Sequence, residues 1–364
     1  MKNIGILETI GHITYLYSTA RILKSQDTQV YIFTTTKNYD LMFSLLGQDM
    51  DKYTWIIKND NESTMAFLKR IKSTIERDID ILYVNTIQGG IREFIAYCRF
   101  NPKIKKILTI HNPRFWFEPK NKNSWKEKFK CMLRKTILPR YDGVAGVSEK
   151  VAKYIKEQCR YRKSVYAIPF SVHEPYEQLD NKGNVIFAAS GAIERIRRNY
   201  HKLLDVFEKL FKKYSKIQLK ILGKPDGQYG KDIIRRCLEL KSKGYNVFVS
   251  ADYLSGEVFE REIKEVDILI GPIDMSLYDE SKETGVIYDA IRFAKPVIIP
   301  EDYDIPVEIQ SSTLFFKDWD HLGQIIEKLI INKDDKLKEL KQVAEKNSLF
   351  FTSEYVRKTK DIGL

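Results

Sequence analysis

The sequence predicts an α/β protein of two Rossmann-like, doubly wound parallel-sheet domains that face each other across a cleft. Three observations carry this. Short β-branched runs alternate with amphipathic stretches of helical period. The alternation breaks once, in a polar stretch at residues 171–183, and then restarts. The 364 residues exceed what one ordinary core accommodates, so two consecutive domains are the arrangement the length favours.

The first half supplies the strands "NIGIL", "QVYIFTT", "DILYVNT", "KKILTI" and "GVAGVS". Between them lie periodic segments such as "TYLYSTARILKS" and "FLKRIKSTIERD". A strand-like "VYAIPF" closes a first domain at residues 1–170, and "SVHEPYEQLDNKGN", with Pro175 and Gly183, reads as the linker, 171–183. The pattern resumes at "VIFAASG" and spans a second domain, 184–347. There follow a helix over 199–214, the strand "IQLKILG", a helix over 231–240, "NVFVS", a helix near 259–264 and "VDILIGP". A loop, a helix from about 284 to 294 and a buried strand at 296–299 come last. Open parallel sheets bind ligands outside the carboxyl ends of their strands. That singles out the loops at 8–14, 111–124, 191–199, 223–230 and 279–285.

Composition narrows the function classes. With 43% hydrophobic and 30% charged residues the chain reads as soluble and globular. It has no apolar run of the roughly 18–20 residues a membrane span requires, and "MKNIGILETIG" reads as a strand and loop, not a signal peptide. Cys98, Cys131, Cys159 and Cys237 lack C-x-x-C spacing and read as reduced cytoplasmic thiols. Neither they nor the five scattered histidines suggest a metal site, so no metal or cofactor is expected. The net charge of +12 is concentrated between residues 101 and 165, where 18 Lys/Arg stand against 5 Asp/Glu. Such a surplus suits an anionic membrane surface or ligand. No helix-turn-helix, RRM or zinc-finger pattern supports nucleic acid.

The stretch "ESKETGVIYDAIRFAKPVIIP" concentrates candidate chemistry. Small residues at a helix N-terminus let a phosphate approach unpaired amides and the positive dipole end, with Thr284 adding a hydroxyl and Lys282 a charge. Asp289 lies about 7.5 Å further along the axis and could accept two vicinal ribose hydroxyls. Taken alone, the stretch fits equally well a helix capped by Ser281 with Asp289 facing water.

Set beside the rest of the chain, "ETGVIYDAIRFAKPVIIP" resembles the donor-site motif of retaining GT-B-fold glycosyltransferases of group 1, the family 4-like class. "VAGVSEKVAKYI", "VYAIPFSVHE" and "VIFAASGAIERIRRNYHKLLDVF" resemble segments of that class in the same order. The resemblance covers most of the chain. It implies transfer of a sugar, from a nucleotide sugar such as a UDP-sugar, to a saccharide or lipid-linked acceptor, in surface polysaccharide or glycoconjugate synthesis. The nucleotide sugar is a substrate, and the fold requires no metal. By resemblance Asp289 holds the ribose, Thr284 and Gly285 hold the diphosphate through backbone amides, and Arg197, Arg198 and Lys282 neutralise it. Gly11 approaches the donor, and His111 stands near the reacting sugar. Ser281 falls where the class has a first glutamate; Glu283 is the favoured replacement, with Glu280 and Lys282 as alternatives. The class also implies that a C-terminal helix, about 348–364, packs back on the first domain. Two other readings stay open, a non-catalytic nucleotide-sugar-binding subunit and a nucleotide-sugar 2-epimerase on the same fold.

The basic segment adds a membrane expectation. "SWKEKFKCMLRKTILPR" sets Trp125, Phe129, Met132, Leu133, Thr136 and Ile137 on one helical stripe. Lys126, Lys128, Lys130, Arg134 and Lys135 crowd the other faces, and "RFWF" places Trp116 in an aromatic loop. A basic amphipathic helix of this kind can lie on an anionic bilayer. The protein would then be peripheral at the inner face of the membrane. The alternative is that the stripe packs into the core.

Overall fold

A computed structural model describes residues 1–87, 96, 103–176, 183–252, 254–278 and 281–361. The chain divides into two compact units. The first comprises Met1–Ser171, Glu280–Glu283 and Glu354–Leu364; the second comprises Val172–Asp279 and Thr284–Ser353. Much of the expected linker, together with Cys98, Asp279 and Glu280, lies outside the described residues.

In the first unit seven strands form one parallel sheet in the order β3-β2-β1-β4-β5-β6-β7. They are β1 (Lys2–Glu8), β2 (Thr28–Thr35), β3 (Tyr53–Lys58), β4 (Ile81–Val84), β5 (Lys105–Ile110), β6 (Gly143–Gly146) and β7 (Ser164–Ala167). Every pairing is parallel: Ile4, for instance, lies beside Val30 on one side and Ile81 on the other. Helices α1 (Ile13–Leu23), α2 (Thr36–Leu46), α3 (Thr64–Asp78), α4 (Pro113–Phe117), α5 (Trp125–Ile137) and α6 (Glu149–Glu157) belong to this unit. Because a parallel sheet is covered on both faces, its central strands are continuously apolar: all four residues of β4 and of β6 are buried. The edge strands β3 and β7 are partly exposed along their length.

The second unit has a six-stranded parallel sheet in the order β10-β9-β8-β11-β12-β13. Its strands are β8 (Val185–Ser190), β9 (Ile217–Leu222), β10 (Val247–Val249), β11 (Ile268–Ile270), β12 (Val297–Pro300) and β13 (Thr313–Phe316). The helices are α7 (Tyr200–Phe211), α8 (Gly227–Ser242), α9 (Gly256–Lys264), α10 (Gly285–Arg292) and α11 (Trp319–Ile331). One cluster built on Phe187, Tyr200, Phe207, Leu219, Ile221, Ile268 and Ile298 fills its interior. The last helix, α12 (Lys338–Asp361), runs from the second unit into the first. There the Thr359 hydroxyl faces the Ile22 carbonyl, and Lys358 pairs with Glu149 at 3.1 Å.

Two features depart from the sequence expectations. "RFWF" forms helix α4, capped by Asn112 with Pro113 in its first turn, where a loop was expected. Helix α8 starts at Gly227, about one turn before the expected 231, because its entry turn 225–230 supplies the first helical residues.

The end of α10 shows a further detail. The Lys295 amide donates to the Ala290 carbonyl at 2.9 Å, and the Ala294 amide to Ile291 at 3.4 Å, the paired bonds of a Schellman stop. The residue at its centre is Ala294 with φ of 45°, a left-handed position that glycine occupies at lower cost. Ala294→Gly should therefore stabilise the second unit by about 1 kcal/mol. Urea unfolding of the two proteins measures it, and equal midpoints would show that the turn stores no strain.

Candidate functional site

In each sheet the strand order reverses beside the first strand of the unit, between β1 and β4 and between β8 and β11. Loops leaving such a reversal point diverge and open a crevice at the carboxyl ends. The candidate residues collect at both places.

In the second unit, β8 runs into the loop 191–199. Gly191 has φ of 95°, and a Cβ added there would meet the Arg198 guanidinium at 2.4 Å, so only glycine fits. The Arg198 guanidinium lies beneath it and donates to the Ser190 carbonyl at 2.9 Å, Ala192 at 3.1 Å and the Tyr200 hydroxyl at 3.2 Å. Arg198 is only 6% exposed. It therefore braces the loop in this arrangement, where the sequence reading had it facing a diphosphate. Arg197, partly exposed, pairs with Glu194 at 3.0 Å, and the exposed Arg195 pairs with Asp274 at 3.0 Å. Asn199 caps α7 by accepting from the Lys202 amide.

Helix α10 begins at Gly285, with Thr284 as its N-cap residue. Thr284 is buried, its side chain makes no cap bond, and its amide donates to the Tyr303 hydroxyl at 3.1 Å. Gly285 is exposed with open space around it. Ser281 is buried, and the cap residue is Thr284. Asp289 lies one turn into the helix and is partly buried. Burial pushes its carboxyl up to about 6, opposed by the nearby Ser190 hydroxyl and by Arg292 and Arg198. At the other end of the helix Arg292 is buried between Glu174, at 2.7 Å, and Glu260, at 2.5 Å. Tyr176 donates to the Phe293 carbonyl at 2.8 Å. The start of the expected linker is thus tied to the helix that carries Asp289.

Lys282 and Glu283 group with the first unit. There the Glu283 carboxylate accepts from the Ser148 hydroxyl at 2.7 Å, and the same hydroxyl accepts the Val151 amide at the start of α6.

The other collection lies at the carboxyl ends of β1, β4 and β5. His111 follows β5; its ring stacks on His12 with centroids 4.6 Å apart, and Tyr15 meets it edge-on at 5.0 Å. Burial and the neighbouring His12 push its pKa down to about 4, so the imidazole is neutral at physiological pH. Its Nε2 lies 3.0 Å from the Asn85 carbonyl and 3.3 Å from the Thr86 hydroxyl. Gly11, with φ of 144°, sits in the turn just before His12, and its amide donates to Glu8. Sequence reasoning missed Glu8, Asn85 and Thr86. Glu8 left a signal, an acid ending the buried run "NIGIL"; a lone Asn-Thr pair after a strand leaves none.

The basic helix α5 is amphipathic in a different register from the expected one. Cys131, Arg134 and Ile137 turn inward. Two of the expected membrane-side residues are thereby corrected. Trp116 is only 6% exposed, because α4 folds it under the surface. Arg134 is buried with its guanidinium 3.4 Å over the Phe115 ring and bonded to the Phe115 carbonyl, which meets its charge without solvent. The remaining residues stay outside: Trp125 is 71% exposed, and Phe129, Met132, Lys126, Lys128, Lys130 and Lys135 are exposed with it. Among the described residues no group of histidine, cysteine and acidic side chains could hold a metal ion, and no helix is long and apolar enough to cross a membrane.

Two parallel-sheet units of this topology make the GT-B fold. Residues 11–174 match Glycosyltransferase Family 4 in sequence. That sequence match falls largely in the first unit, and the structural likenesses show the fold. A glycosyltransferase from Rickettsia africae ESF-5 superposes with a TM-score of 0.65 at 14% identity, covering 99% of this chain and 97% of its own. Anabaena HepE, solved in complex with UDP, gives 0.60 at 12% identity over 100% and 98%. The UDP-GlcNAc 2-epimerase from Neisseria meningitidis, bound to UDP-GlcNAc, gives 0.53 at 12% identity over 98% and 100%. No curated protein matches the sequence.

The burial of Asp289 has a thermodynamic consequence. A carboxyl raised from its ordinary value of 3.8 to about 6 favours the folded state while protonated, and that stability is lost as pH rises through about 6. Asp289→Asn removes the ionisation. It should stabilise the protein by about 1–2 kcal/mol near neutral pH, with the difference vanishing near pH 4. Paired urea titrations at the two pH values measure this; a pH-independent difference would place the carboxyl in water.

Proposed function

We propose that the protein is a retaining glycosyltransferase that moves a sugar from a UDP-sugar to a saccharide or lipid-linked acceptor. Its products would be surface polysaccharide or glycoconjugate. The observation that carries this is the grouping, at the reversal point of the second sheet, of an open helix start at Gly285, a desolvated acid at Asp289 and an arginine loop braced by Arg198. The exposed Gly285 end supplies amides and the dipole for a diphosphate. Arg197 adds charge and suits phosphate because its planar fork binds two oxygens. Asp289 as a carboxylate accepts the two ribose hydroxyls. These groups stabilise the leaving diphosphate by preorganised hydrogen bonds and charge. In the first unit neutral His111 is the candidate catalytic group, with Glu283, bonded to Ser148, as a second. Two solved proteins of this fold, HepE and the Neisseria epimerase, carry UDP or a UDP-sugar, which supports uridine as the base.

The acceptor side points to a lipid surface. Trp125, Phe129 and Met132 recur at helical spacing on the exposed face of α5, with Phe115 44% exposed nearby. Lys126, Lys128, Lys130 and Lys135 flank them within the segment that holds the charge surplus. Apolar side chains ringed by lysines suit an anionic bilayer, where each close basic residue contributes about 1 kcal/mol. The protein is then peripheral at the cytoplasmic membrane face.

A panel of nucleotide sugars with crude lipid acceptor should yield UDP from one UDP-sugar, with the anomeric configuration kept in the product. Asp289→Ala should weaken UDP binding by roughly 1.5–3 kcal/mol, the scale of hydrogen bonds to a charged group. Calorimetry checks it. Unchanged affinity in a folded variant would move the donor elsewhere, and sugar conversion without acceptor would make the protein an epimerase.

Vesicle co-sedimentation tests the surface. Binding should require anionic lipid, weaken with salt because charges are screened over about 8–10 Å, and vanish when the four lysines become glutamine. UDP affinity should survive that change. Equal binding to neutral and anionic vesicles, or none to either, would leave α5 as a solvated helix.

A further inference from the structure

We propose that Glu8 is a positioning residue for His111, holding the imidazole as the Nε2–H tautomer so that Nδ1 is its hydrogen-bond acceptor. The inference deepens the role given to His111 above and rests on that reading.

Glu8 ends β1 and is fully buried. A buried carboxylate persists only where donors meet its oxygens. Oε1 accepts the Ile10 amide at 2.8 Å and the Gly11 amide at 3.3 Å, while Oε2 accepts the Thr86 hydroxyl at 2.8 Å. Its own carbonyl accepts the Thr34 hydroxyl at 2.7 Å, which locks the strand end.

The direction of these bonds decides the tautomer. A threonine hydroxyl has one proton, and Thr86 commits it to Glu8. Toward His111 Nε2, 3.3 Å away, Thr86 can then only accept. The Asn85 carbonyl, 3.0 Å from the same nitrogen, can also only accept. Two acceptors at Nε2 place the ring proton there. Because the ring is neutral, Nδ1 keeps its lone pair, and a ligand group that meets it must donate, as a sugar hydroxyl does. The same carboxylate shapes the turn at Ile10 and Gly11 that leads to His12, whose ring stacks on that of His111. One side chain therefore sets both the edge and the face of the imidazole. Asn85 adds to the constraint: its side-chain amide is buried with neither atom hydrogen-bonded among the described residues, so its backbone carbonyl is its link to the ring.

Glu8→Gln tests this with almost no change of shape. The amide oxygen can still take the turn amides, but its NH2 group now donates toward Thr86. The Thr86 proton then turns toward Nε2, which weighs against a ring proton there and moves the balance toward Nδ1–H, with the Asn85 carbonyl still favouring Nε2–H. Long-range proton–nitrogen correlation spectra of histidine-labelled protein read the tautomer, with His111→Asn assigning the signal. Wild type should show the Nε2–H form and Glu8→Gln a shift toward Nδ1–H. Turnover should fall by about tenfold, the scale of one misdirected hydrogen bond, while UDP affinity is unchanged. Thr86→Val should shift the tautomer less, because the Asn85 carbonyl remains, and Thr86→Ser should keep both tautomer and rate. Should Glu8→Gln fail to fold, the Thr86 pair carries the test through the rate and the proportion of each tautomer. An Nδ1–H wild type, a Glu8→Gln protein with the wild-type tautomer, or a shifted tautomer with unchanged turnover overturns the proposal. A wild type that binds no UDP and turns over no nucleotide sugar sinks the donor reading instead, and the tautomer comparison still decides what Glu8 does to His111.

Discussion

Burial of a parallel sheet on both faces is the constraint from which the rest of this protein follows. Strands β4, β6 and β8 are buried along their whole length, and apart from Tyr83 they carry no polar side chain before Ser190 at the end of β8. Chemistry is pushed to the carboxyl ends and the residues just beyond them: Glu8, Asn85 and His111 in one unit, Gly191 and the loop after it in the other. The two units solve the problem of polar groups at these ends differently. The first uses neutral hydrogen bonds and one carboxylate; the second uses an arginine.

That arginine shows how sequence proximity misleads. Arg197 and Arg198 are adjacent, yet one meets solvent and the other is spent on three acceptors beneath Gly191. A further fit keeps the loop in place: a Cβ on Gly223 would fall 1.9 Å from the Gly191 carbonyl, so the loop after β9 packs directly against the loop after β8. A buried guanidinium is tolerated because its fork meets two carbonyls and a hydroxyl. Three hydrogen bonds of Arg198 hold the loop in this arrangement.

Desolvation acts on both candidate sites, in opposite senses of charge. It raises the Asp289 carboxyl and depresses His111, each toward its neutral form. An acid held near its titration point is costly to the fold and responsive to a ligand, the usual trade between stability and a working site. The α5 surface has another balance. Arg134 gives up water for the Phe115 ring and carbonyl, while Trp125, which could have been buried, stays in solvent.

What the sequence by itself determined is the class of fold, the two-unit order and most strands, because alternating β-branched runs and 3.6-residue periodicity are local properties. The helix carrying Asp289 was legible for the same reason, from small residues at its start and "AKPV" after its end. The short edge strands β3 and β13 went unread, as did helix α4, since edge strands alternate weakly and five residues carry no period. Tertiary structure alone decided which charges face solvent. Nothing in "RIRRN" separates Arg197 from Arg198, and nothing in "KFKCMLRK" marks Arg134 as the inward cation. Nor could the sequence join Glu8, Thr86 and His111, which lie far apart along the chain and meet only because β1, β4 and β5 are neighbours in the sheet. Hydrogen-bond direction is a property of that meeting, and so is the state of the imidazole.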